Sequence, residues 1–160
     1  MRKENEKKMI YIGVDPGKNG GIAVITDTSY VVHSFSEDNL LNIMDIWEDA
    51  FNSVGVKCVL EKVNAMPGQG VVSMFNFGQN YGFIQGVLKA YGIPYELVTP
   101  QKWKKEFSCT SDKNTSIDVC KRLFPGVNLK ATERCKKDHD GIAEALLIAE
   151  YGRRHYNGRE

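Results

Sequence analysis

The chain has 160 residues, 42% hydrophobic and 26% charged, which supplies apolar material for one globular core, and no apolar run approaches the roughly 18 residues of a membrane span. A formal net charge of +1 does not announce a nucleic-acid binder, yet residues 1–100 carry eight Lys/Arg against eleven Asp/Glu whereas residues 101–160 carry thirteen against nine. Cys58, Cys109, Cys120 and Cys135 lack Cys-x-x-Cys spacing, so zinc-ribbon and redox motifs have no signature here and the four read as reduced thiols, Cys58 and Cys120 as small hydrophobes.

Residues 1–8 have no apolar stretch after their basic start, as a signal peptide would. A flexible tail is expected there, ahead of one domain over 9–156 in a soluble, intracellular (cytoplasmic) protein. Met9 to Val14 is an almost continuous apolar run, suited to a strand covered on both faces. Gly21 to Thr26 and Tyr30 to Phe35 follow after short polar breaks and predict a meander. Leu40, Met44, Trp47 and Phe51 recur at helical spacing behind Ser36, a plausible N-cap, and Val56 to Val63 is the next strand. Pro67-Gly-Gln-Gly70 breaks the chain before a long helix whose core stripe is Phe77, Tyr81, Ile84, Leu88 and Tyr91, stopped by Gly92. Tyr95 to Thr99 is a fifth strand. Helices are predicted over Lys102 to Phe107, Asp112 to Phe124 and Gly141 to about His155. A meander followed by alternating strands and helices predicts an α/β fold with a mixed five-stranded sheet and helices on both faces.

Acidic residues stand at the ends of these elements. Asp15 closes the first apolar run and is followed by Pro16-Gly17 and Gly20-Gly21, a backbone-permissive turn that can present a carboxylate to a metal or phosphate. Glu61 closes a second run. Asp140 and Glu144 are four residues apart and share a helix face. Carboxylates meeting in a dry cleft repel, and a divalent cation is the usual remedy. Basic groups at Lys102, Lys104 and Lys105, at Lys130, Arg134, Lys136 and Lys137, and at Arg153 and Arg154 form either a phosphate-tracking rim or a solvated surface.

Gly13-Val-Asp-Pro-Gly17, Leu60-Glu-Lys-Val63 and Asp140-Gly-Ile-Ala-Glu-Ala-Leu-Leu-Ile-Ala149 resemble the catalytic motifs of RuvC-type Holliday junction resolvases in the ribonuclease H-like superfamily. Pro100-Gln-Lys-Trp-Lys104 resembles a motif of their phage and organelle branch. The resemblance runs from about Met9 to Arg154. It implies a three-layer ribonuclease H-like fold, with the first and fourth strands adjacent so that Asp15 meets Glu61. It also implies a Mg²⁺-dependent crossover junction endodeoxyribonuclease, a hydrolase of DNA recombination and repair. Asp15, Glu61, Asp140 and Glu144 would be ligands of two Mg²⁺ about 3.5–4 Å apart, with Mn²⁺ able to substitute. Asp15 would bridge the ions, and cleavage would leave a 5′ phosphate and 3′ hydroxyl. Symmetric cutting of a four-way junction implies a homodimer with one site per strand.

Bacterial housekeeping resolvases space the last two ligands three apart, which would place Gly141 at a ligand position, so the four-residue spacing of Asp140 and Glu144 is preferred. Asp138 and then His139 are the substitutes for Asp140, although Asp138 is also explained as an acid favourable to a helix N-terminus. Lys113 matches a lysine that the family places near the scissile phosphate, and otherwise reads as a surface lysine. Gln69, Met74 and Phe75 fall in the region that approaches the junction centre, and Lys62, Lys104 and Lys137 are further DNA-contact candidates. Trp103 is expected to pack its ring against the domain without a catalytic role. Three rivals remain. An actin-like sugar kinase shares the glycine-rich turn but needs a second lobe. An RNA-directed nuclease shares the metal site. A non-catalytic branched-DNA-binding protein would have lost a ligand.

Overall fold

A computed structural model describes residues 8–64 and 67–156; of the tail expected over residues 1–8, all but Lys8 lies outside them. The described elements run β1 (Ile10–Asp15), β2 (Gly21–Ile25), β3 (Tyr30–Ser34), α1 (Glu37–Val54), β4 (Val56–Glu61), α2 (Val71–Ala90), β5 (Tyr95–Val98), α3 (Pro100–Glu106), α4 (Lys113–Leu123) and α5 (Asp140–His155). The expected elements are all present with ends shifted by a few residues. Among the described residues, no helix is long and apolar enough to cross a membrane.

One sheet has the order β3-β2-β1-β4-β5. β1 pairs antiparallel with β2 and parallel with β4, β2 pairs antiparallel with β3, and β4 pairs parallel with β5. Alternation sorts side chains between the faces. Ile10, Ile12, Val14, Ile22, Val24, Cys58 and Leu60 join Leu40, Met44, Ile84 and Leu88 in the core beneath α1 and α2. Ala23, Ile25, Val59 and Val98 join Trp103, Phe107, Cys120 and the apolar residues of α5 on the other face. The result is a three-layer α/β domain.

The N-caps are local. Ser36 Oγ accepts from Asn39 N at 2.9 Å and Asp112 Oδ1 from Asn114 N at 2.9 Å. α2 departs from its expected stripe. Ile84 and Leu88 are buried, but Phe77 is only half-buried and stacks on Tyr81, ring centroids 6.2 Å apart. A helix of 20 residues spans about 30 Å, whereas six-residue strands span about 20 Å, so its first turns run past the layer that would bury them.

Every residue of α5 from Gly141 to Gly152 is buried, because the sheet covers one side while α3 and α4 pack nearby. Glycine lets it come this close. A Cβ on Gly13 would strike the Ala145 carbonyl and the Ala149 amide, one on Gly21 the Gly141 carbonyl, and one on Gly141 the Asn19 carbonyl. These neighbours are backbone and cannot turn aside, whereas Gly82 on α2 has no such neighbour within 4 Å. Gly13→Ala is therefore expected to cost about 1–3 kcal/mol, lowering Tm by roughly 2–10 °C. Gly82→Ala should be neutral or stabilising by up to ~1 kcal/mol. Equal melting shifts in the two variants would contradict this account of the contact.

Candidate active site

Asp15 ends β1 and Glu61 ends β4, one position beyond the paired Val14 and Leu60. Asp15 shares the parity of Tyr11 and Gly13, and Glu61 that of Val59, so both carboxylates face α5. α5 begins against the β1–β2 turn through the Gly141 contact, which brings its first turns to the same edge. Asp15 and Glu144 are each only 9% exposed.

The electrostatics report the convergence. Asp15 is held well above the usual carboxylate range, first by burial and then by the charges of Glu61 and Glu144, a hydrogen bond shared with Glu144, and the charge of Asp140. Burial also raises Glu61; the indole of Trp103 opposes that by hydrogen bonding, Glu144 adds to it, and Lys104 offsets it. Lys113 Nζ lies 2.9 Å from Asp140 Oδ2. Its pKa is raised chiefly by that hydrogen bond and charge, with Glu144 and Asp15 contributing. Asp15, Glu61, Asp140, Glu144 and Lys113 therefore form one electrostatic cluster.

The substitutes for Asp140 are otherwise engaged. Asp138 is clamped by Lys121 at 2.5 Å and Lys130 at 3.3 Å, which lower its pKa. These pairs tie the loop before α5 to α4. His139 is the N-cap, its Nδ1 accepting from Ile142 N at 3.1 Å.

Four hard oxygen donors, one of them strained by burial and repulsion, suit a divalent cation such as Mg²⁺. Among the described residues no three His, Cys, Asp or Glu side chains are grouped to hold an ion as they stand. Each acid instead has another partner: Glu61 takes the Trp103 indole at 2.7 Å, Asp140 takes Lys113, and Asp15 hydrogen-bonds Glu144. The donor chemistry fits the cation, and these partners engage the carboxylates.

Around the cluster, Lys62 and Gln69 are exposed, and Lys104 is half-buried with its ammonium 5.5 Å from the Trp103 ring centroid. Lys137, with Asn19, Lys113, Lys136, Asp138, His139 and Asp140, lines an open cleft of about 420 Å³ beside the α5 N-terminus. Met74 is half-buried, while Val71 is 85%, Val72 73% and Phe75 65% exposed. Gly17 lies under this stretch, a Cβ there falling 3.5 Å from Phe77 Cε2. Arg153 and Arg154 both pair with Glu150, which lies roughly 9 Å along α5 from Glu144 at ~1.5 Å per residue.

Trp103 is the site residue that the sequence reading placed outside the chemistry. It is fully buried, as expected of a packed ring, but its Nε1 donates to Glu61 Oε2. A signal exists in hindsight: Thr99 caps α3 and Pro100 opens it, immediately after the strand that pairs with the Glu61 strand.

The fold has solved counterparts. RuvC of Thermus thermophilus in complex with a Holliday junction substrate aligns with a TM-score of 0.57 and 16% identity over 91% of this chain and 95% of that one. RuvC from the same organism aligns at 0.57 and 15%, over 93% and 98%. The yeast mitochondrial Holliday junction resolvase Ydc2 aligns at 0.54 and 15%, over 92% and 81%. No family model matches the chain, and no curated protein does. The likeness establishes the RuvC-type, ribonuclease H-like fold.

Because burial and neighbouring acids hold Asp15 above the ordinary carboxylate range in the folded chain, between the ordinary and the raised pKa the folded state binds more protons than the unfolded one. Stability without metal then falls as pH rises through that window. Asp15→Asn removes the repelled charge. In EDTA at pH 8 the variant is expected to melt about 2–4 °C above the wild type, the shift of ~1 kcal/mol in a domain of this size. The gap should narrow toward pH 4. A variant that melts lower at pH 8 would assign Asp15 a stabilising structural role.

Proposed function

We propose that the protein is a divalent-metal-dependent endonuclease that resolves four-way DNA junctions. One observation carries the reading: carboxylates from β1, β4 and α5 meet at one sheet edge, beside a lysine and below a half-exposed helix. The fold shared with two resolvases supports it.

Asp15, Glu61, Asp140 and Glu144 would hold two Mg²⁺, which when bound lower the pKa of an attacking water and stabilise a departing oxygen. The chain's own residues supply the rest. Asp15, buried among the other three acids, would be one of the residues that hold the cations. Lys113 is kept charged by its acidic neighbours, and its side chain is 69% exposed, so it can swing from Asp140 to a phosphate oxygen. Water adds to phosphorus, the bond to the 3′ oxygen breaks, and the products are a 5′ phosphate and a 3′ hydroxyl.

Substrate binding follows the same geography. Lys62, Lys104 and Lys137 are placed to take phosphates of the strand crossing the site. Gln69, Met74 and Phe75 lie on the overhanging start of α2 and its preceding turn, where exposed apolar side chains can meet unstacked bases at a junction centre. Two opposed strands require two sites, supplied by a homodimer.

The test is cleavage of an end-labelled synthetic four-way DNA junction, beside a duplex of the same sequence and an RNA hairpin, in Mg²⁺ and in EDTA. Paired symmetric nicks in the junction alone, lost in EDTA, are expected. Asp15→Asn should cut at least roughly 10²–10³-fold more slowly while still retarding the junction in a gel. Cutting of RNA alone would make the protein a ribonuclease, and junction binding without cutting in any metal would make it a non-catalytic junction binder.

A further inference from the structure

We infer that Trp103 is the positioning residue of Glu61, its indole N–H fixing Oε2 so that Oε1 is the oxygen left to ligate a cation. The inference rests on the metal-site reading above and adds to it a residue that touches neither metal nor DNA.

The geometry is specific. Nε1 of Trp103 lies 2.7 Å from Glu61 Oε2 across 42 residues of sequence, a short distance for an N–H donor to a carboxylate. Trp103 is fully buried and packs in the core beneath α5 with Val98 and Phe107. Its backbone is pinned by the Thr99 cap and by Pro100 in the first turn of α3. A tryptophan has two side-chain torsions and a rigid ring, so once packed it offers a donor fixed in space. Glu61 has three torsions and ends its strand among like charges that push it away. Without a fixed donor it has every electrostatic reason to turn toward solvent.

The chemistry of the donor matters as much as its place. A lysine or arginine at this point would neutralise Glu61 and compete with the cation. An indole carries no charge and cannot accept a hydrogen bond, so it orients the carboxylate and leaves its charge available. The Lys104 ammonium lies 5.5 Å from the centroid of the same ring, whose π face attracts it. Partners of this kind typically change metal affinity 10–100-fold.

Shape and hydrogen bond can be separated. Site-specific incorporation of 3-benzothienylalanine at position 103 replaces the indole N–H by sulfur in a ring of nearly the same outline. Mn²⁺ binding to the full chain is read from the spectrum of free Mn²⁺, with no nuclease assay, alongside melting in EDTA and a Glu61→Gln variant. The expected result is a rise of about 10-fold or more in the Mn²⁺ Kd of the analogue, a Tm no lower than that of Trp103→Phe, and no effect of the analogue on Kd in a Glu61→Gln background. Trp103→Phe should show the same Kd rise with a lower Tm, since it also shrinks the ring. If Glu61→Gln weakens Mn²⁺ binding and the analogue does not, the positioning role is overturned while the metal site stands. If Glu61→Gln binds Mn²⁺ as the wild type does, the metal-site reading falls and this inference with it.

Discussion

The close approach of α5 to β1 and β2 is the constraint on which the rest depends. It is a backbone-to-backbone contact made possible by Gly13, Gly21 and Gly141, and a side chain at any of them would push the helix outward. Asp140 and Glu144 ride on that helix, and Asp15 stands at the end of the strand it touches. The distance that permits the contact is therefore the distance at which the carboxylates interact. Burial of α5 on all sides then prevents the helix from relaxing away from the repulsion. The core supplies the free energy that holds like charges together, an arrangement common where function requires local strain.

Each carboxylate meets that repulsion differently. Asp15 meets it with a pKa raised by burial and by its acidic neighbours, Asp140 with an exposed lysine, and Glu61 with a buried neutral donor. The indole uses only one oxygen of Glu61.

Much of this was legible in the sequence. Apolar runs ending in Asp15 and Glu61, and the Asp140 and Glu144 spacing, identify strand ends and a helix face without coordinates, and the meander-then-alternation order limits the topology to few choices. What escaped depended on contacts between distant segments. The Trp103 to Glu61 bond requires knowing that β5 lies beside β4 and that α3 folds back over it. The lysine clamp on Asp138 joins α4 to a loop, and only the direction of α5 reveals that Arg153 and Arg154 sit at the far end of the sheet. Phe77 followed its helical period but not the length of the sheet beneath it. Periodicity reports which face of a helix is apolar and says nothing of where the opposite layer stops.

The central claim is that these four carboxylates form a cation site, and anomalous diffraction from Mn²⁺-soaked crystals tests it most directly. The account predicts anomalous peaks enclosed by Asp15, Glu61, Asp140 and Glu144, with the Trp103 to Glu61 hydrogen bond retained. Peaks at Asp138 or His139, or none at this edge of the sheet under saturating Mn²⁺, would contradict it.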